Sequence, residues 1–517
     1  MFSLMHSSSV YGVEGKGIAV EVDISSGLPQ VSVVGLPDPA VRESVERVRA
    51  AIKNCGFTFP LDRITVNLAP ADLRKEGTAF DLAIAAGVLT ASGQLPAELF
   101  HGMLLIGELS LDGSIRPVPG VLSMMEQAKL SGMSKVLLPT RNAPEAAWIS
   151  GMKLYALEHL AQLKSAALGA AFDWSEIEYA GISGETDEHS GANHEGDHAE
   201  ALGDYRDVLG QQQAKRAMLI SASGKHNVLL AGPPGSGKTM LIRRLPTILP
   251  PLTEEEALEV TKIYSIAGKL MSANGLMRTA PFRSPHHTIS SGGLIGGGSI
   301  PKPGEVTLAH HGVLFLDELP EFSRAVLEVL RQPLEDRFVT IARSKAVFRF
   351  PAGLMLAASM NPCPCGYRGH DYGDRFCTCS PSSIARYQSR MSGPLLDRID
   401  LQLEVPRPTI SEYTTSGMSS AEMRNLVLEA RERQAARSRR QGMSGDELLA
   451  GASLRRAIQL KSEAVKLMED AFDALGISMR AYDRILKLAR TIADVEQSDS
   501  VEAVHVAEAI QYRRSGG

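Results

Sequence analysis

Residues 228–239 read Val228-Leu229-Leu230-Ala231-Gly232-Pro233-Pro234-Gly235-Ser236-Gly237-Lys238-Thr239. The last eight fit the pattern G-x-x-x-x-G-K-S/T, a loop whose backbone N–H groups cradle phosphates. The flanks agree: Val228 to Leu230 is a short apolar strand, and Met240 to Leu245 opens a helix. Glycines let the loop turn tightly with its N–H groups aimed inward. The start of the following helix adds positive potential. Lys238 is expected to reach the β- and γ-phosphates of ATP, and the Thr239 hydroxyl to ligate Mg²⁺.

A second stretch, His311 to Glu318 (HGVLFLDE), is an apolar run ending in two acids. Continuous apolar character marks a parallel strand buried on both faces. Asp317 at its end is expected to hold Mg²⁺ through water, and Glu318 to polarise the attacking water. A third strand, Leu354 to Ala358, leads to Asn361. Asn361 is placed either to orient that water or simply as a turn residue before proline.

The surroundings divide the 517 residues into four parts. Residues 1–175 alternate strands (Ile18–Val22, Gln30–Val34, Ile64–Leu68, Met103–Leu109, Lys135–Leu138) with helices (Pro39–Lys53, Phe80–Leu89), an α+β pattern. Residues 176–203 include GISGETDEHSGANHEGDHAEAL, too polar to order itself and so a flexible linker. Residues 204–408 form the α/β region with the phosphate loop, and residues 409–517 are helical by pattern. The fold class is therefore multidomain α/β. A net charge of −5 excludes a polycation, so any nucleic-acid contact must be local. No long apolar run or leader-like start is present, which argues against a membrane span or export. Five cysteines make no disulfide scaffold, and a cytoplasmic setting is expected.

Four of those cysteines cluster as C-x-C, eleven residues, C-x-C: Cys363, Cys365, Cys377 and Cys379. The spacing within each pair is tighter than the usual zinc pair. The intervening GYRGHDYGDRF cannot pack a core, and a structural Zn²⁺ on four thiolates would fix it; His370 is an alternative ligand, and free thiols are the other reading. Glu335 to Phe350 reads as a β-hairpin with Arg343 and Lys345 at its tip. Arg424 to Arg440 is an arginine-rich helix, suited to DNA, to a subunit contact or merely to solvent.

Loop, Asp-Glu strand and Asn strand in this order resemble the AAA+ ATPases. FRSPHH (282–287), GGLIGGG (292–298), PGEVTLAHHGVLFLDELPEF (303–322), NPCPCG (361–366), SGPLLDRIDL (392–401) and RAYDRILKLARTIAD (480–494) resemble the bacterial magnesium-chelatase-like proteins of the ComM/YifB family. The resemblance spans nearly the whole chain. It implies an AAA+ core with β-hairpin insertions, a C-terminal helical lid and assembly as a homo-hexamer. It assigns Arg398 as the finger that reaches a neighbour's γ-phosphate, a task suited to a permanently charged fork, and Arg480 as the sensor-2 arginine of the lid. It puts the Arg343/Lys345 hairpin in a central pore on the nucleic-acid backbone, where phosphate contacts read no sequence, with Ser290–Gly304 as a second insertion.

Residues 62–138 resemble the Lon-type peptidase fold through LRKEGTAFDLAIA (73–85) and GSIRPVPGVLSM (113–124). Laid on Lon's pattern, the serine position falls on Ala79 and the lysine position on Leu122, so the Ser/Lys dyad is missing. Only a register slip would bring Thr78 or Ser123 into play. The implied activity is an ATP-dependent DNA helicase promoting branch migration on single-stranded or branched DNA, in recombination during natural transformation. The alternative is a chelatase-type motor that remodels a protein partner. Against it stand the Lon-like domain and the lack of a D-x-S-x-S metal-adhesion pattern.

Overall fold

The structure is a computed structural model describing residues 1–167, 172–180, 203–270, 275–298, 301–343, 346–370, 376–408, 417–440, 454–455, 458–476 and 478–513. The chain forms two compact units. One comprises residues 1–186 with 257–277, the other 187–256 with 278–517.

The N-terminal unit is built on a seven-stranded mixed sheet. Its strands are β1 (Phe2–Tyr11), β2 (Glu14–Ser25), β3 (Gln30–Val34), β4 (Arg63–Ala69), β5 (Met103–Leu105), β6 (Lys135–Pro139) and β7 (Lys153–Leu157), in the order β3-β4-β2-β1-β5-β6-β7. Three helices pack on it: α1 (Pro39–Asn54), α2 (Asp81–Ala91) and α3 (Val121–Leu130). Pro39 opens α1 behind an Asp38 cap that accepts the Val41 N–H at 2.7 Å. Val41, Val48 and Ile52 form its buried stripe. Helix α2 is buried along nearly its whole length. Its first residue, Asp81, is fully buried, yet Arg47 forks across the carboxylate at 2.8 and 3.1 Å.

The second unit holds five parallel strands. They are β8 (Val228–Ala231), β9 (Phe282–Arg283), β10 (Val313–Leu316), β13 (Met355–Met360) and β14 (Leu401–Glu404), in the order β9-β10-β13-β8-β14. Between β10 and β13 in sequence lies the antiparallel hairpin of β11 (Phe338–Arg343) and β12 (Ala346–Pro351). Strand β10 is buried at all four positions and β13 at all six, as continuous apolar runs require. The helices of this unit include α4 (Gln212–Gly224), α5 (Lys238–Arg243), α6 (Pro381–Gln388), α7 (Ser420–Arg440), α8 (Ser462–Leu475), α9 (Met479–Val495) and α10 (Ala503–Gln511). One core runs from Val228 and Phe315 of the sheet to Leu488 and Val506 of the terminal helices.

The arginine-rich helix α7 spends much of its charge inside this unit. Arg431 donates to Ala222 O at 2.7 Å, and Arg437 grips the buried Asp494 carboxylate at 2.8 and 2.7 Å. Those two side chains hold the helix in place.

Candidate active site

Strand β8 ends at Ala231 and the phosphate loop follows at the carboxyl end of the sheet, where parallel α/β sheets bind ligands. Gly237 adopts φ +89°, a backbone state open to glycine, and starts α5. The loop is braced from outside. Arg407 donates to Pro234 O at 2.9 Å, and Gln211 to Pro406 O at 2.6 Å and Ser236 O at 3.3 Å. Lys238 is buried, with Nζ 2.8 Å from both Gly232 O and Pro233 O and 3.4 Å from Asn361 Oδ1. Burial pushes its ammonium down to about 8, against the pull of Asp317 and Glu318.

The acids stand where the loop needs them. Thr239 Oγ1 is 3.1 Å from Asp317 Oδ2. An octahedral Mg²⁺ with bonds of about 2.0–2.1 Å holds neighbouring oxygens about 2.9 Å apart, so this oxygen pair fits the ion and its water shell. Ser359 donates to Asp317 Oδ1 and fixes the carboxylate. Glu318 is exposed and held at φ +53°, a strained state for a non-glycine residue that persists at functional sites. The structure thus brings Gly232 to Thr239, Asp317, Glu318 and Asn361 into one site.

It does not bring Arg398 or Arg480 there. Asn227, just before β8, donates from Nδ2 to Arg398 O at 2.8 Å, and Val228 is level with Leu401. Arg398 therefore sits at the amino end of the sheet. The phosphate loop begins beyond the other end, five residues and about 17 Å further along at about 3.3 Å per residue. Around Arg398, a cavity of about 140 Å³ is lined by Arg331, Arg480, Arg484 and Arg513, with Glu335 and Asp397. Arg398 pairs with Glu335 and donates to Pro394 O at 2.7 Å, and its buried Nε has no hydrogen-bond partner among the described residues. Burial and the guanidiniums of Arg331, Arg484 and Arg480 hold its pKa below the ordinary arginine value. Such a pocket presents an excess of positive charge to an incoming anion.

The four cysteines converge: their sulfurs lie within 4.8 Å of one another, and none is in a disulfide. His370 instead meets Glu404 at 2.9 Å. At the hairpin, Arg343 donates to Gly298 O at 2.9 Å, tying the hairpin to the Gly-rich insertion; Lys345 lies outside the described residues. In the N-terminal unit, Ala79 and Leu122 are buried. Thr78 donates to Glu108, Ser123 to Val13 O at 2.8 Å, and Lys75 Nζ is taken up by the carbonyls of Pro70 and Leu73. None of these hydroxyls faces a lysine.

Sequence reasoning missed Ser359 and Glu335. Ser359 carried a signal, because strand alternation puts it on the same face as Asn361. Glu335, 63 positions from Arg398, carried none.

A phosphate-loop motif, a facing Thr–Asp oxygen pair and a strained glutamate at the end of a parallel sheet have the arrangement of a P-loop site of the AAA+ type. Three family profiles narrow this: "Magnesium chelatase, subunit ChlI" at residues 204–413, "Subunit ChlI of Mg-chelatase" at 20–142 and the ChlI C-terminal profile at 417–513. The chain is 42% identical to YifB of Salmonella typhimurium over 517 residues, covering 99% of this chain and 97% of that protein. It is 41% identical to the competence protein ComM of Haemophilus influenzae over 514 residues, again 99% and 97%. A 26% identity to Lon protease 2 of Bacillus subtilis covers 27% of this chain and 28% of the protease. The chain belongs to the ComM/YifB family of magnesium-chelatase-like proteins. No helix among the described residues is long and apolar enough to cross a membrane.

Proposed function

We propose that this protein is a ring-forming, ATP-driven DNA motor of the cytoplasm, a helicase that promotes branch migration on single-stranded or branched DNA during the recombination of incoming DNA. The observation that carries the ring is the separation of two half-sites. Lys238, Thr239, Asp317, Glu318 and Asn361 form a nucleotide site at one end of the sheet. Arg398 and Arg480 form a cationic pocket at the other. An arginine finger acts on a γ-phosphate supplied by another subunit, and half-sites on opposite ends of one molecule join head to tail, closing into a ring where the rotation allows; the resemblance to AAA+ rings makes that ring a homo-hexamer.

Thr239 and Asp317, the latter through water, would hold Mg²⁺, which would supply positive charge to the phosphates of ATP. Lys238 exchanges its carbonyl partners for phosphate oxygens. Glu318 takes a proton from water, and Asn361 orients that water. Arg398 leaves Glu335 for the neighbour's phosphate. Zn²⁺ on Cys363, Cys365, Cys377 and Cys379 is structural, as no open ligand position is suggested. DNA is supported by the relative named as a competence protein and by the hairpin bearing Arg343 and Lys345.

The chelatase-type reading keeps one specific support. The profile matched at residues 20–142 carries the chelatase subunit's description, so the N-terminal domain no longer argues against that reading. Stimulation of ATP turnover by four-way-junction DNA, with unwinding of the junction, supports the DNA motor. Turnover indifferent to DNA but raised by a protein partner supports the alternative.

A further inference from the structure

Strand β13 delivers Asn361 to the nucleotide site, and the Cys363-Pro364-Cys365-Gly366 knuckle follows at once. Cys363 is fully buried, although it lies on a loop. Its sulfur is 3.3 Å from Cys365 and 3.7 Å from Cys377, and Cys365 and Cys377 are 3.7 Å apart. Thiolates at the corners of a tetrahedron with Zn–S bonds of about 2.3 Å lie about 3.8 Å apart. The sulfurs are spaced for one ion; a cluster of several irons would spread them further.

Three strands of contact meet at this knuckle. Gly366 has φ +86°, and a Cβ there would lie 2.6 Å from Pro234 Cδ, so the knuckle rests directly on the phosphate loop. Asn361 reaches the Lys238 ammonium. The second cysteine pair runs straight into α6, where Ser380 caps the Ser383 N–H at 3.3 Å. That helix presents Tyr387, its one buried side chain. Just beyond it, Arg390 donates to Pro320 O at 2.9 Å and pairs with Glu321 at 3.1 Å, in the turn that follows Glu318. The same segment continues to Arg398.

Building on the zinc assignment above, we propose that the ion held by Cys363, Cys365, Cys377 and Cys379 is the joint that fixes Asn361 against the phosphate loop, so that ATP turnover, but not ATP binding, requires the metal. The cysteines are positioning residues. They touch no phosphate; they set where Asn361 stands relative to Lys238. The joint also lies between Asn361, which faces the chain's own nucleotide, and Arg398, which faces the neighbour's. Its rigidity lets the state of one site reach the next.

The test uses the full-length chain. Zinc and iron per chain are measured by elemental analysis, affinity with a fluorescent non-hydrolysable ATP analogue, and turnover at saturating ATP. The wild type is expected to carry one zinc per chain. The double variant Cys377→Ser/Cys379→Ser is expected to lose it, to keep nucleotide affinity within about threefold, and to lose more than about tenfold in kcat, the scale set by disturbing residues that orient a site. Cys379→His, which restores a zinc ligand, is expected to recover both zinc and rate. Gly366→Ala leaves all four thiolates but pushes the knuckle off Pro234, and is expected to stay zinc-loaded with a similarly reduced kcat. It also carries the test if the double variant does not fold. A wild-type chain without zinc, or with iron in its place, overturns the metal assignment itself. A zinc-loaded wild type whose metal-free double variant, or zinc-loaded Gly366→Ala variant, turns over at the wild-type rate overturns the joint alone.

Discussion

Lys238→Ala and Arg398→Ala remove opposite halves of the proposed composite site, and mixing them tests whether the halves meet between subunits. Each variant alone is expected to be nearly inactive as an ATPase; loss of an arginine finger costs about 10³–10⁵ in rate. The two half-sites lie at opposite ends of one sheet, so a working site needs an intact Lys238 from one copy and an intact Arg398 from the next. If the variants assort at random, a fraction f of one and 1−f of the other leave f(1−f) of the interfaces complete. For independent sites, activity should then peak near equal proportions at about a quarter of the wild-type rate. The assay is steady-state phosphate release from co-expressed, differently tagged variants purified through both tags, so that every ring is mixed. No recovery in such rings would place both groups in one chain's site and refute the reading. So would an Arg398→Ala variant that turns over alone at the wild-type rate.

Other outcomes follow from the same geometry. Burial holds the Lys238 ammonium down at about 8 without nucleotide, below the usual lysine value. Its ammonium must be charged to meet phosphate, so affinity is full below pH 7 and falls as pH rises through 8. Affinity for a non-hydrolysable ATP analogue should weaken about tenfold between pH 7 and 9; a flat profile would contradict the burial argument. Glu318→Gln should bind ATP with near wild-type affinity and turn over at least about a hundredfold more slowly, a separation read by filter binding beside phosphate release. Lys345→Ala should keep basal ATPase and lose stimulation by DNA; unchanged translocation would remove the hairpin from the nucleic-acid path.

The elements that were legible in sequence are those whose signals are local. Gln30–Val34 and the Pro39 helix stand where alternation and the N1 proline put them. The phosphate loop is legible because eight adjacent residues do one job. Strand β1 was not foreseen. Its Met5-His6-Ser7-Ser8-Ser9 run lacks apolar alternation, yet Ser7 and Ser8 are buried in mid-sheet. Met103–Leu109 reads as one strand but forms Met103–Leu105 and a separate Glu108–Leu109. Residues 257–277 group with the N-terminal unit, although the sequence reading places them within the 204–408 region, since position along the chain does not say which body a segment packs against. The arginine pocket draws Arg331, Arg398, Arg480, Arg484 and Arg513 from across the fold. Arg398 and Arg480 were named through family resemblance, and that the two share one pocket, away from Lys238, only the structure shows.

The most direct measurement is the ATPase rate of the wild-type chain with Mg²⁺, alone and with single-stranded or four-way-junction DNA, beside Glu318→Gln as the inactive reference. The account predicts a rate raised by DNA, most by the junction, with junction strands separating in step with hydrolysis. A basal rate indifferent to every DNA tested would contradict it.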